Sequence, residues 1–240
     1  MTETLSAGSG AAPPQGLLTR VIGVIFSPRE AFAAVAARPT WLGAVAIAVL
    51  ISGAAQFFLL STDVGKELAL DQQVSTMEAF GITISDEAYA TMEEGMENAR
   101  YTGPIFTIIF TPLILLISAG ILHVMFGLVG GGNGTYKQVY AVSAHSAIIS
   151  SLQLVFTTLV TIAAGRAAGA NLAVFTPTLE DTTFVYKLLS YIDVFYVWST
   201  FVTAVGLAVL YKRRTGPIAM VLLGIYLAFA VLIAFARSGS

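Results

Sequence analysis

Residues 188–211, LLSYIDVFYVWSTFVTAVGLAVLY, form an apolar run of membrane-spanning length that contains one carboxylate, Asp193, and is closed by Lys212-Arg213-Arg214. A bilayer core about 30 Å thick requires about 20 apolar residues of helix, so this run reads as a transmembrane segment. The basic triplet behind it marks a short loop of the kind that faces the cytoplasm. The whole chain has the same character. Hydrophobic residues make up 56% of its 240 residues and charged residues 11%, whereas ordinary soluble domains are about a quarter charged; the mean hydropathy is +0.81.

Four further spans are expected on either side: 41–60, 104–129, 136–164 and 217–236, giving with 188–211 an all-α, polytopic membrane protein of five helices. The first opens at Trp41, suited to the headgroup level, and has Gln56 as its only strongly polar member. The second contains Pro112, expected to kink it, and a face of Leu116, Gly120, His123 and Gly127 that would let another helix approach closely. The third is the most polar. Ser143, Ser146, Ser150, Gln153, Thr157 and Thr161 step by three and four into one stripe, expected to face protein or water.

Residues 1–16, rich in Ser, Gly, Ala and Pro, read as a disordered tail without the basic start and apolar core of a secretory signal. Residues 17–236 then form a single membrane domain. Leu17, Leu18, Val21, Ile22 and Ile25 recur at helical spacing with Arg20 turned away, which predicts a short interfacial helix. Ser27-Pro28-Arg29-Glu30 predicts a second, started by a capping box and stopped at Pro39. Residues 61–103 carry nine carboxylates against Lys66 and Arg100, and so must lie outside the lipid. Leu70, Val74 and Met77 before a Gly81 cap, and Tyr89, Met92 and Met96 after a Ser85 cap, predict a helical hairpin there. Between 165 and 187, Thr178 and Asp181 resemble a capping box that would start a short helix.

Chemistry is scarce. The chain has no cysteine, which removes disulfides, thiolate catalysis and Cys-ligated metals. The net charge of −2 gives no basic surface for nucleic acid. The glycine-rich run 130–134 lacks the Gly-Lys-Ser/Thr ending of a phosphate-binding loop, neither histidine has a metal-ligand partner at helical spacing, and no nucleophile elbow is present. No catalytic residue, cofactor or metal is expected. His123, His145, Gln153 and Asp193 remain as the intramembrane polar residues to place, either as helix-packing groups or as a relay. Asp193 is expected near the membrane boundary, capping a helix or pairing with Lys187.

The short motifs Phe26-Ser27-Pro28-Arg29-Glu30 with Trp41 downstream, Tyr136-Lys137-Gln138-Val139, and Leu188-Leu189-Ser190-Tyr191-Ile192-Asp193-Val194-Phe195 with Trp198 resemble the Yip, or Ypt-interacting-protein, domain family, in particular its bacterial branch. The resemblance extends over about residues 17–236. It implies five spans, a cytoplasmic amino terminus and, in eukaryotic members, association with prenylated Rab-type GTPases. The Asp-Leu-Tyr-Gly-Pro motif that eukaryotic members carry before the first span is missing here, so the resemblance does not extend Rab binding to this chain. Seven of the twelve Lys and Arg fall on the side of the amino terminus and five on the other, in agreement with a cytoplasmic amino terminus and an external carboxyl terminus. The expectation is a multi-pass protein of a bacterial inner membrane, acting as a scaffold or accessory subunit that docks other membrane proteins. The alternative is a small transporter or ion-conducting protein using the third-span stripe and Asp193.

Overall fold

The computed structural model describes residues 15–238; nearly all of the expected amino-terminal tail lies outside them. Ten α-helices follow in order: α1 (Leu17–Phe26), α2 (Pro28–Ala37), α3 (Leu42–Leu60), α4 (Asp63–Ala79), α5 (Asp86–Gly95), α6 (Ala99–Leu122), α7 (Tyr136–Ala164), α8 (Phe184–Ser190), α9 (Val194–Leu210) and α10 (Thr215–Ser238). Among the described residues there is no strand, only a single antiparallel bridge between Asn171 and Asp193. The chain is an all-α, polytopic membrane protein. α3, α6, α7 and α10 are long and apolar enough to cross a bilayer, and α9 is a shorter apolar helix of 17 residues.

The bundle is organised around α7. Thr135 and Gln138 close a reciprocal capping box at its start, and Gly165, at φ +63°, ends it. That glycine adopts the left-handed conformation that terminates helices with little strain. α3 lies against α7 through a small-residue face of Ala44, Ala48, Ser52 and Ala55. The Ser151 hydroxyl donates to the Ala48 carbonyl at 3.1 Å, Ser52 Oγ donates to Ser151 Oγ at 3.2 Å, and Thr158 Oγ1 donates to the Ala55 carbonyl at 3.4 Å. Small side chains bring the two backbones close enough for these bonds.

The expected polar stripe of α7 divides. Ser143, Ser146 and Thr161 are buried, Ser150 is exposed and meets Ser199 of α9 at 3.4 Å, and Gln153 is half-buried. The bonds to α3 come from Ser151 and Thr158, on a neighbouring face.

α1 and α2 do more than lie on the bundle. Val24, Ala31, Phe32 and Val35 are completely buried, and a Cβ on Gly206 of α9 would sit 2.5 Å from Val142 Cγ1 and 3.1 Å from Phe32 Cδ1. Phe32 thus occupies the place that Gly206 leaves open. Arg20 corrects the expectation made for it: it turns inward and is 8% exposed. Its guanidinium donates to the Gln15 carbonyl at 3.0 Å, the Arg38 carbonyl at 3.3 Å and Thr40 Oγ1 at 2.6 Å. Carbonyls left free where α2 breaks at Arg38 and Pro39 account for the reversal. Ser27 holds the N-cap position of α2 but makes no side-chain cap bond, so the expected capping box is absent.

The hairpin forms with its two caps as expected. Gly81 at φ +77° closes α4, with bonds from Gly81 N to the Glu78 carbonyl at 2.8 Å and from Ile82 N to the Met77 carbonyl at 3.0 Å. Ser85 accepts from Ala88 N at 3.2 Å. Packing within the hairpin is slight: Leu70 is buried, but α5 buries nothing. α5 runs through one 3₁₀ turn at Met96–Asn98 into α6, so the second long apolar helix continues directly from the hairpin.

α6 passes through Pro104 and Pro112 without a break. The helical register changes further on, in a π-helical segment, His123–Val129. The fourth span is also revised. Residues 188–211 are two helices, α8 and α9, interrupted at Tyr191–Asp193, and the residue capping α8 is Thr183, not Thr178.

Candidate functional site

α2, the π segment, the start of α7, the end of α9 and the start of α10 meet at one end of the bundle. Gln138 links them. Its Oε1 accepts from Thr135 N at 2.8 Å while its Nε2 donates to the Ala36 carbonyl at 2.9 Å, joining the start of α7 to the end of α2. Tyr136 donates to the Leu116 carbonyl of α6 at 2.8 Å, and Trp41 meets Tyr140 edge-on at 5.1 Å.

Tyr211, immediately after α9, is the centre of this end. Its ring lies against the loop 130–134 so tightly that a Cβ on Gly132 would be 2.2 Å from Cδ1, and one on Gly134 2.8 Å from Cε1. Gly132 and Gly134 are needed because nothing larger fits beneath the ring. Its hydroxyl and His123 Nδ1 are buried, make no hydrogen bond within the protein, and both point at one place: each lies about 3 Å, 3.1 and 3.0 Å, from where a Cβ on Gly127 would stand. His123 and Gly127 share a helix face by their spacing of four, and the contact that the spacing does not give is the one with Tyr211, which comes from the far end of α9.

Beyond Tyr211 the chain turns through Lys212, the one non-glycine residue with positive φ (52°) among the described residues. Arg213 donates to the Gly130 carbonyl, fastening the α9–α10 turn to the glycine loop. Clefts lie on both sides of this turn. One, about 440 Å³, borders the glycine loop, Gln138, Tyr211, Lys212 and Arg213. The other, about 500 Å³, lies between α2 and the turn and is lined by Arg29, Ala33, Ala208, Val209, Lys212, Arg213 and Arg214.

The remaining polar residues lie elsewhere. His145 is completely buried within α7, its Nδ1 2.8 Å from the Ala141 carbonyl and its Nε2 without a partner. Asp193 is at the opposite end of α9 from Tyr211, where its Oδ1 accepts from Phe195 N at 2.8 Å and Tyr196 N at 3.2 Å. Tyr226 bridges this corner, accepting from Asp193 N at 3.0 Å and donating to the Tyr191 carbonyl at 2.6 Å. Lys187 donates to the Arg237 carbonyl. The structure therefore separates His123 from Asp193 by the length of α9. No group of three or more His, Cys, Asp or Glu that could hold a metal ion occurs among the described residues.

A family model described as the Yip1 domain matches residues 22–236, nearly the whole chain. The chain belongs to the Yip1 domain family. No curated protein and no solved structure matches it. The residues that carry the resemblance to the Yip1 domain are joints of the bundle: Tyr136 and Gln138 anchor α7 to α6 and α2, Ser27 and Pro28 make the α1–α2 corner, and Tyr191 to Phe195 form the capped break before α9.

Proposed function

We propose that this Yip1-domain protein is an integral membrane scaffold or accessory subunit that docks other membrane proteins and has no catalytic activity of its own. The observation that supports this reading is the state of α6. Only Ala99 and Ala119 of its 24 residues are buried, and Ile105, Phe106, Ile109, Leu113, Ile117 and Ile121 all point away from the bundle. Such a helix, held on one narrow side, offers a long apolar flank to a neighbour in the bilayer.

A transport reading has weaker support, because the α7 stripe is split between buried Ser143, Ser146 and Thr161 and exposed Ser150, and Asp193 is engaged in capping α9. The positive bias supports an amino terminus and α9–α10 turn in the cytoplasm, with the acidic hairpin and carboxyl terminus outside. The missing eukaryotic motif favours a bacterial inner membrane and partners other than Rab-type GTPases. Photo-crosslinking residues placed at Ile109 and Ile117 test the proposal in native membranes. Discrete protein adducts at these positions, lost when α6 is shielded by detergent, are expected; adducts to lipid alone would overturn it.

A further inference from the structure

We propose that the cleft between α2 and the α9–α10 turn binds the phosphate of an anionic phospholipid, with an acyl chain laid along α9. Four cations, Arg29, Lys212, Arg213 and Arg214, line about 500 Å³, and no carboxylate is among the lining residues. Cations gathered around a common space repel one another, and an anion in that space reverses the sign of the interaction. The gathering is built into the fold. Arg213 is tied to the Gly130 carbonyl, and Lys212 is held in the left-handed region by a turn in which Arg213 N reaches the Ala208 carbonyl at 2.8 Å. A lysine in that conformation carries backbone strain, and such strain concentrates at ligand sites. The cleft at the far end of the bundle has no such imbalance, because Arg166 and Asp181 both line it.

The neighbouring groove points to a lipid in preference to a free anion. Arg29 also lines a second cleft of about 370 Å³, which continues past Phe201 and Val205 of α9 to Thr215. Phe201 is 47% exposed on a helix that runs through the apolar part of the bundle, so this groove faces the acyl region. The floor of the charged cleft is itself apolar, made by Ala33, Ala208 and Val209. A charged compartment at the end of a membrane helix, joined by one arginine to a lipid-facing groove, has the chemistry of a phospholipid from headgroup to chain. Glu30, beside Arg29 in the groove lining, is the one carboxylate near the path.

The full chain, purified in a mild detergent and stripped of lipid, provides the test. Retention of phosphatidylglycerol and of phosphatidylcholine is measured by native mass spectrometry over a titration of each. One phosphatidylglycerol per chain is expected to bind in preference to phosphatidylcholine, and the triple variant Arg29→Gln/Lys212→Gln/Arg214→Gln to bind it roughly a hundredfold more weakly. The charge-preserving variant Arg29→Lys/Lys212→Arg/Arg214→Lys should bind like the wild type. Lys137→Gln, at the same end but outside the cleft, separates a site from a diffuse basic surface: it should leave binding within about twofold. An equal loss in Lys137→Gln, equal retention of the two lipids, or unchanged binding in the triple variant would overturn the proposal. Displacement by inorganic phosphate at the lipid's own concentration would overturn the lipid assignment. Circular dichroism checks the fold of each variant, and if the triple variant does not fold, the single changes Arg29→Gln and Arg214→Gln, on exposed side chains, carry the same comparison with about fivefold losses each.

Discussion

Asp193 shows how much a single residue's role depends on where a helix begins. Within an unbroken span its carboxylate would be a charge in lipid; as the residue before α9 it is an acceptor for two amides that would otherwise lack partners. The chain breaks there because the backbone is engaged elsewhere: Leu172 N reaches the Ile192 carbonyl at 2.9 Å and Val194 N the Ala170 carbonyl at 3.1 Å. The sequence alone placed Asp193 near the boundary and offered capping as one role. It could not show the break, since the partner segment 170–172 has no periodicity of its own. Capping requires an oxygen acceptor and not a charge, so Asp193→Asn should leave stability within about 0.5 kcal/mol of wild type, whereas Asp193→Ala should lose about 1 kcal/mol. Equilibrium unfolding in mixed micelles measures both, and equal losses would show that the charge is what matters.

At the scale of the helix, the long apolar runs and the caps at Gly81 and Ser85 were legible because run length and cap residues are local properties, and α7 begins and ends where its sequence says, whereas the capping boxes expected at Ser27 and Thr178 do not form. Which faces meet is not local. The bonds from α7 to α3 come from Ser151 and Thr158 because the small-residue stripe Ala44, Ala48, Ser52, Ala55 selects that side, and the stripe is visible only once both helices are considered together. The same holds for α2, whose start and stop are local signals but whose Phe32 packs against Gly206 of α9, a contact between residues far apart in the chain. Alanine is the better helix former by about 1 kcal/mol, so Gly→Ala within a helix stabilises where there is room. At Gly224 of α10 nothing lies within 4 Å of a new Cβ, and Gly224→Ala should raise stability by up to about 1 kcal/mol. At Gly206 the new methyl would meet Val142 and Phe32, and Gly206→Ala should cost about 1–3 kcal/mol through overpacking. If the two substitutions shift the unfolding midpoint alike, the close approach of α2 to α9 is wrong.

The molecule as a whole turns on α9. At 1.5 Å per residue its 17 residues cover only about 25 Å, less than an average bilayer core of about 30 Å. The surroundings favour a crossing all the same. Tyr211, at one end, is packed with the glycine loop between α6 and α7, while Asp193, at the other, is bonded to Tyr226 of α10 and bridged to Asn171 in the loop that leaves α7. A helix tied at both ends to loops on opposite ends of α7 runs from one end of the bundle to the other, and local thinning of a bilayer or Tyr and Lys side chains at its ends can meet a mismatch of that size. The contacts that fix this connectivity join residues far apart in the chain, whereas the crossing itself was expected from the length of the apolar run 188–211 and from the resemblance. The absence of cysteine makes it directly testable, because a single introduced thiol is the only one to label. Asn133→Cys and Gly216→Cys mark the basic end, Glu87→Cys the hairpin and Asp181→Cys the loop before α8. With an impermeant maleimide added to sealed cells, Glu87→Cys and Asp181→Cys should label at once, and Asn133→Cys and Gly216→Cys only after permeabilisation. Labelling of Asp181→Cys together with Gly216→Cys would mean that α9 re-enters without crossing, which would place the two chain ends on the same side of the membrane.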